Sequence, residues 1–73
     1  MAAEPMLSKV SEPAGWDRPP GYSRARVRFT DGNWRSATLL GWRHREDHWY
    51  AHLRWQDGAT EWRAYDPRFI RPE

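Results

Sequence analysis

The chain contains no cysteine. That excludes disulfides and thiolate metal sites, and it fits a reducing compartment. No apolar run approaches the ~20 residues of a membrane-spanning helix, so no membrane role is expected. Met1 to Val10 has no basic region followed by an apolar stretch, and no secretory leader is expected there. A cytoplasmic protein is the resulting expectation. Lysine is almost absent: Lys9 is the only one among the 12 basic residues, and the rest are arginine. Catalytic vocabulary is also thin. Ser23 and Ser36 are the only serines after Tyr22, and neither has a recognisable base beside it. An enzyme would need nucleophile, base and pocket together, so no enzyme, no cofactor and no small-molecule substrate is expected. His44, His48 and His52 recur every four residues, but His44 falls in the polar loop expected over 44–47 and only His48 and His52 share a face of the next strand, with Tyr50 between them, so no metal site is expected either.

What the chain does have is aromatics. Six Trp, three Tyr and two Phe stand in 73 residues. A single domain of this size buries only about 60% of the surface its unfolded chain exposes. Rings that each bury on the order of 150–250 Å² can compensate for the missing disulfides. Charge is the second resource. The net charge is +2, and it is unevenly spread. Residues 1–21 carry Lys9 and Arg18 against Glu4, Glu12 and Asp17, a net of −1, whereas residues 22–73 carry ten Arg against seven acids, a net of +3. Arg-rich composition also follows from GC-rich coding, but a guanidinium fork suits phosphate and carboxylate alike.

The composition changes near Tyr22. Residues 1–21 hold Pro5, Pro13, Pro19 and Pro20 and no usable period. They are expected to form a disordered or loosely docked tail, with Trp16 as the one residue that packs back. From Tyr22 onward the pattern is that of strands. Ala25, Val27 and Phe29 alternate with Arg24, Arg26, Arg28 and Thr30, which predicts a half-buried strand. Asp31-Gly32 predicts a hairpin turn with positive φ at both positions. Further strands are expected over 34–43, 48–56 and 59–65, with a bend at Gly41. Asp57-Gly58 marks another turn, and 67–69 a single 3₁₀ turn before a short strand at Ile70. The expected core is Val27, Phe29, Ala37, Leu39, Leu53, Trp55, Trp62 and Ile70. Two segments echo each other: Val27-Arg28-Phe29-Thr30-Asp31-Gly32 and Leu53-Arg54-Trp55-Gln56-Asp57-Gly58. Shared turn chemistry explains that echo. Closing so few short strands would remove exposed edges, so an all-β, strongly bent five-stranded barrel over 22–73 is the expected fold.

The stretch Val27 to Leu39, with its Asp-Gly turn, bulky Trp34 and small Ala37, resembles the first hairpin of Tudor-type domains. Leu53 to Gly58 resembles their second hairpin, and Ile70-Arg71-Pro72 their closing strand. The resemblance spans about 25–72 and implies an SH3-like barrel. Tudor-type domains often bind methylated Lys or Arg in an aromatic cage beside these hairpins, where ring faces attract the cation. Aligned on the two Asp-Gly turns, the cage positions fall near Arg28, Arg35, Arg54 and Asp57. A shift of one residue brings in Phe29, Trp34 and Trp55 instead. Arginine in place of rings repels a methylammonium and invites an anion. The expected function is therefore a non-enzymatic module that binds nucleic acid, DNA or RNA. The expected site is Arg26, Arg28, Arg35 and Arg54, with Trp34 and Tyr50 as stacking rings. The alternative is a protein-interaction module that recognises an acidic segment or a methylated peptide, since Trp, Tyr and Arg are also typical hot-spot residues.

Overall fold

A computed structural model describes residues 2–73; Met1, the first residue of the expected tail, lies outside the described residues. Seven strands follow in chain order: β1 (Lys9–Val10), β2 (Trp16–Arg18), β3 (Arg24–Arg28), β4 (Trp34–Arg45), β5 (His48–Arg54), β6 (Thr60–Ala64) and β7 (Ile70–Pro72). All pairings are antiparallel, in the order β1-β6-β5-β4-β3-β7, and β2 joins β4 beside β3. The five strands expected from the pattern are β3 to β7. There is no helix among the described residues, and hence none long and apolar enough to cross a membrane.

β3 forms because its alternation matches the pleat: Ala25 and Val27 are buried while Arg24, Arg26 and Arg28 are exposed. β4 is long enough to serve two neighbours in succession. Its first half pairs with β3 and its second half with β5 and β2. Between Leu39 and Gly41 the register against β5 slips, the bend expected at Gly41. The slip turns the sheet over the core.

Both Asp-Gly turns differ from the expectation in type. Only the glycines, Gly32 and Gly58, have positive φ. The Phe29 N–H donates to the Asn33 carbonyl and the Gly32 N–H to the Phe29 carbonyl; Trp55, Ala59 and Gly58 repeat this arrangement. Each loop thus has three residues and ends in a left-handed glycine. Each Asp then accepts from the backbone N–H two residues on, Asn33 and Ala59 respectively. The sequence echo is therefore an echo of geometry. The two hairpins meet where Phe29 and Trp55 pack edge to face, centroids 5.5 Å apart. The single turn at 67–69 closes with the Phe69 N–H donating to the Asp66 carbonyl.

The core comprises Leu7, Ala25, Val27, Phe29, Ala37, Leu39, Ala51, Leu53 and Ile70. Two expected members sit elsewhere. Trp55 is half-buried at the edge of the core. Trp62 is buried, but on the other face of the sheet, under the stacked His52 ring (4.3 Å) and the Arg43 guanidinium (4.6 Å).

The disordered-tail expectation is corrected by Leu7, which is 1% exposed. Its segment joins both free edges of the sheet. Thr30 donates to the Glu4 carbonyl and Met6 to that of Arg28, while Ala64 donates to the Ser8 carbonyl and β1 pairs with β6. The barrel expectation is corrected too. β1 and β7 end the sheet without pairing, so it is not closed into a barrel; the N-terminal segment straddles the gap instead. Two arginines clip that segment down. Arg63 donates to the Leu7 carbonyl, and Arg43 reaches the Pro13 carbonyl, Glu12 and Asp17. These contacts satisfy edges that would otherwise be open to pairing with other chains.

Candidate functional site

Strand register decides which side chains share a face, because directly opposite residues point the same way. Arg28 lies opposite Trp34, and Arg26 lies opposite both Ser36 and Arg71. Arg24 lies opposite Thr38, which in turn lies opposite Arg54. Arg24, Arg26, Arg28, Arg54 and Arg71 therefore share the outer face, on the side away from Val27. Rows two residues apart on a strand are separated by ~6.6 Å and adjacent strands by ~4.8 Å. The five charges thus form a patch, not a scatter.

The patch is only partly neutralised. Glu73 takes Arg24 at 3.3 Å and Arg26 at 3.8 Å. The Ser36 hydroxyl and the Arg24 guanidinium hold the Glu73 carboxyl below its ordinary pKa. Arg28, Arg54 and Arg71 make no ion pair among the described residues. Trp34 sits at one end of this face, in the row of Arg28. The Arg71 guanidinium lies 4.1 Å from its ring centroid and that of Arg28 lies 5.8 Å away. Stacking on an aromatic fixes a guanidinium in place while leaving its N–H fork free to donate.

Of the six residues expected at the site, four are brought together: Arg26, Arg28, Arg54 and Trp34. Arg35 is not. It follows Trp34 on the same strand and so projects to the opposite face, over the Phe29 ring at 4.5 Å and against Asp31 at 2.8 Å. The Asn33 N–H and this guanidinium lower the Asp31 pKa. Tyr50 is also apart. It pairs with Arg43 and Ala64 beyond the Leu39–Gly41 slip, four residues from Arg54 and so ~13 Å along the strand. Sequence reasoning missed Arg24 and Arg71. The signal for Arg71 was present: with Ile70 inward, its neighbour must point outward.

Two clefts flank the patch. One lies between the hairpins, lined by Phe29, Trp34, Arg35, Trp55 and Glu61. The Trp55 indole N–H donates to Glu61 there, and Arg35 covers Phe29. Of the cage positions given by aligning the two Asp-Gly turns, only Arg35 and Asp57 line this cleft, whereas Arg28 and Arg54 belong to the outer face; the rings brought in by a one-residue shift, Phe29, Trp34 and Trp55, all line it. The second cleft is aromatic, lined by Tyr22, Trp42, Trp49 and Tyr65 with Arg18 and Arg71. Burial, with the nearby Tyr65 adding to it, raises the Tyr22 hydroxyl pKa. The three histidines are dispersed: His44 stacks on Trp49, His52 on Trp62, and His48 tilts against Tyr50. Compared with protein-family models, curated proteins and solved structures, the chain matches none of them.

Proposed function

We propose that the chain is a non-enzymatic module that binds nucleic acid through the face carrying Arg24, Arg26, Arg28, Arg54 and Arg71. The observation that carries this reading is their common face, on which three of the five make no ion pair among the described residues. Guanidinium groups held at successive rows of a sheet suit a run of phosphates. Each phosphate neutralised releases counterions, so affinity should fall steeply with salt. A cytoplasmic setting and a Tudor-type, SH3-like relationship belong to the same proposal. The first is supported by the absence of cysteine, the second by two hairpins of one turn geometry that meet through Phe29 and Trp55.

The test is fluorescence anisotropy of a labelled oligonucleotide across a salt series, for the full chain and for Arg28→Ala/Arg54→Ala. The double variant should weaken binding and flatten the log–log salt slope by about 0.7–0.9 for each arginine removed. An unchanged slope would refute the assignment of the face. If oligo-glutamate displaced the oligonucleotide at equal charge, the acidic-protein reading would replace it.

A further inference from the structure

The aromatic cleft beside the arginine face has the form of a box. Tyr22, Trp49 and Tyr65 all stand edge-to-face to Trp42, at 6.4, 6.5 and 5.4 Å and at interplanar angles of 73°, 89° and 81°. Trp42 is fixed, because its indole N–H donates to the Pro20 carbonyl at 3.1 Å. His44 stacks on Trp49 at 4.2 Å and braces it. Yet Trp49 is 39% exposed and Tyr65 42% exposed. Two large rings thus stay in water beside a floor that is already packed. Trp16, more exposed still at 76%, lies opposite His44 on β4 and extends the row.

The chemistry of the cleft selects its occupant. Among the described residues no carboxylate lines it, whereas Arg18 and Arg71 do. A methylammonium would find two arginines at the border and, among the described residues, no lining carboxylate. An uncharged flat ring carried on an anionic backbone meets aromatic faces in a cleft bordered by Arg18 and Arg71. Arg71 also belongs to the arginine face, where it lies over Trp34. Arg71 thus borders both the cleft and the patch.

We propose that the aromatic cleft seats an unpaired nucleobase, with the adjoining phosphates on Arg18 and Arg71, so that the ligand of the arginine face is single-stranded. This rests on the nucleic-acid reading above and deepens it. A base inside a duplex keeps its faces stacked on its neighbours and cannot enter such a box. An unpaired base has a free π-face, and stacking tolerates any sequence.

The experiment compares three probes of equal length: oligo-dT, the same backbone without bases, and a duplex. Each is titrated against the full chain and against Trp49→Ala and Tyr65→Ala, with far-UV circular dichroism to establish that the variants fold. Tyr65→Phe keeps the ring and serves as the control. Wild type should prefer oligo-dT over the abasic strand by roughly 5- to 150-fold, the equivalent of ~1–3 kcal/mol per stacked base. Trp49→Ala and Tyr65→Ala should lose that preference, keep their affinity for the abasic strand, and leave Tyr65→Phe like wild type. Equal affinity for oligo-dT and the abasic strand, with a steep salt slope for both, would overturn the cleft and leave the arginine face standing. Absence of binding to all three probes would overturn both. A proline-rich peptide that binds wild type but not Trp49→Ala, and that oligo-dT does not displace, would also overturn the proposal.

Discussion

Replacing Leu7 by alanine should destabilise the whole domain, although the residue lies in a stretch with no visible periodicity. Leu7 is 1% exposed and packs in the core with Val27, Leu39 and Leu53. Truncating a buried leucine costs about 3 kcal/mol, through lost transfer energy and the cavity left behind. A 73-residue chain has about 4–11 kcal/mol of stability in total, at roughly 0.05–0.15 kcal/mol per residue. The substitution therefore removes roughly a quarter to three quarters of it. For a domain of this size each kcal/mol moves the melting temperature by about 4–8 °C, so Tm should fall by roughly 12–24 °C. The internal control is Met6→Ala. Met6 adjoins Leu7 but is 39% exposed, and its removal should cost less than about 0.5 kcal/mol. Thermal and urea denaturation followed by circular dichroism measure both. Equal stability of the two variants would refute the claim that this segment is part of the core.

Three further outcomes follow from local geometry. Glu46 holds a φ of 54° in the two-residue turn between β4 and β5. Glu46→Asn should raise stability by about 0.5–1 kcal/mol, since asparagine tolerates this region better; an unchanged urea midpoint would count against it. Gly15 has a φ of +135°, and a Cβ there would stand 2.5 Å from the His44 carbonyl oxygen. Gly15→Ala should therefore cost on the order of 2 kcal/mol and loosen the pairing of β2 with β4, which amide hydrogen exchange would register as lost protection. The carboxyls of Asp31, Asp66 and Glu73 are all held below their ordinary pKa, by the Asn33 N–H, by Arg68 and by Ser36 with Arg24 respectively. A carboxyl whose folded pKa is depressed stabilises the fold above its ordinary value, near ~4, and loses that contribution as pH falls through the folded value. The urea midpoint should thus drop as pH is lowered below about 4; a flat profile would contradict the assigned contacts.

How far the sequence foretold this structure varies by element. The alternation from Arg24 to Phe29 revealed β3 and its outward arginines, because one face of that strand is wholly apolar. The Asp-Gly pairs revealed two hairpins. They did not reveal loop length, which depends on whether the aromatic before each turn joins the ladder, as Phe29 and Trp55 do. Pairing of the N-terminal segment was illegible for a different reason. It touches the sheet two or three residues at a time, at edges supplied by β3, β4 and β6, and among the described residues Leu7 is its only fully buried apolar side chain. Trp62 misled because large apolar residues usually face the main core. Here the Arg43 and His52 side chains cover it on the far side. Within the site, Arg35 and Trp34 could not share a face once both lay in one strand, so naming both cost one of them. The aromatic cleft draws Tyr22, Trp42, Trp49 and Tyr65 from separate segments, and only the fold assembles them.

The arginine face is tested most directly by a two-dimensional NMR titration of the full chain with a short single-stranded oligonucleotide at low salt. Amide shifts should concentrate on Arg24 to Arg28, on Trp34 to Thr38, at Arg54 and at Ile70 and Arg71, and should reverse when salt is added. Shifts confined to the cleft between the hairpins, or no shifts at all, would contradict the assignment of that face to nucleic acid.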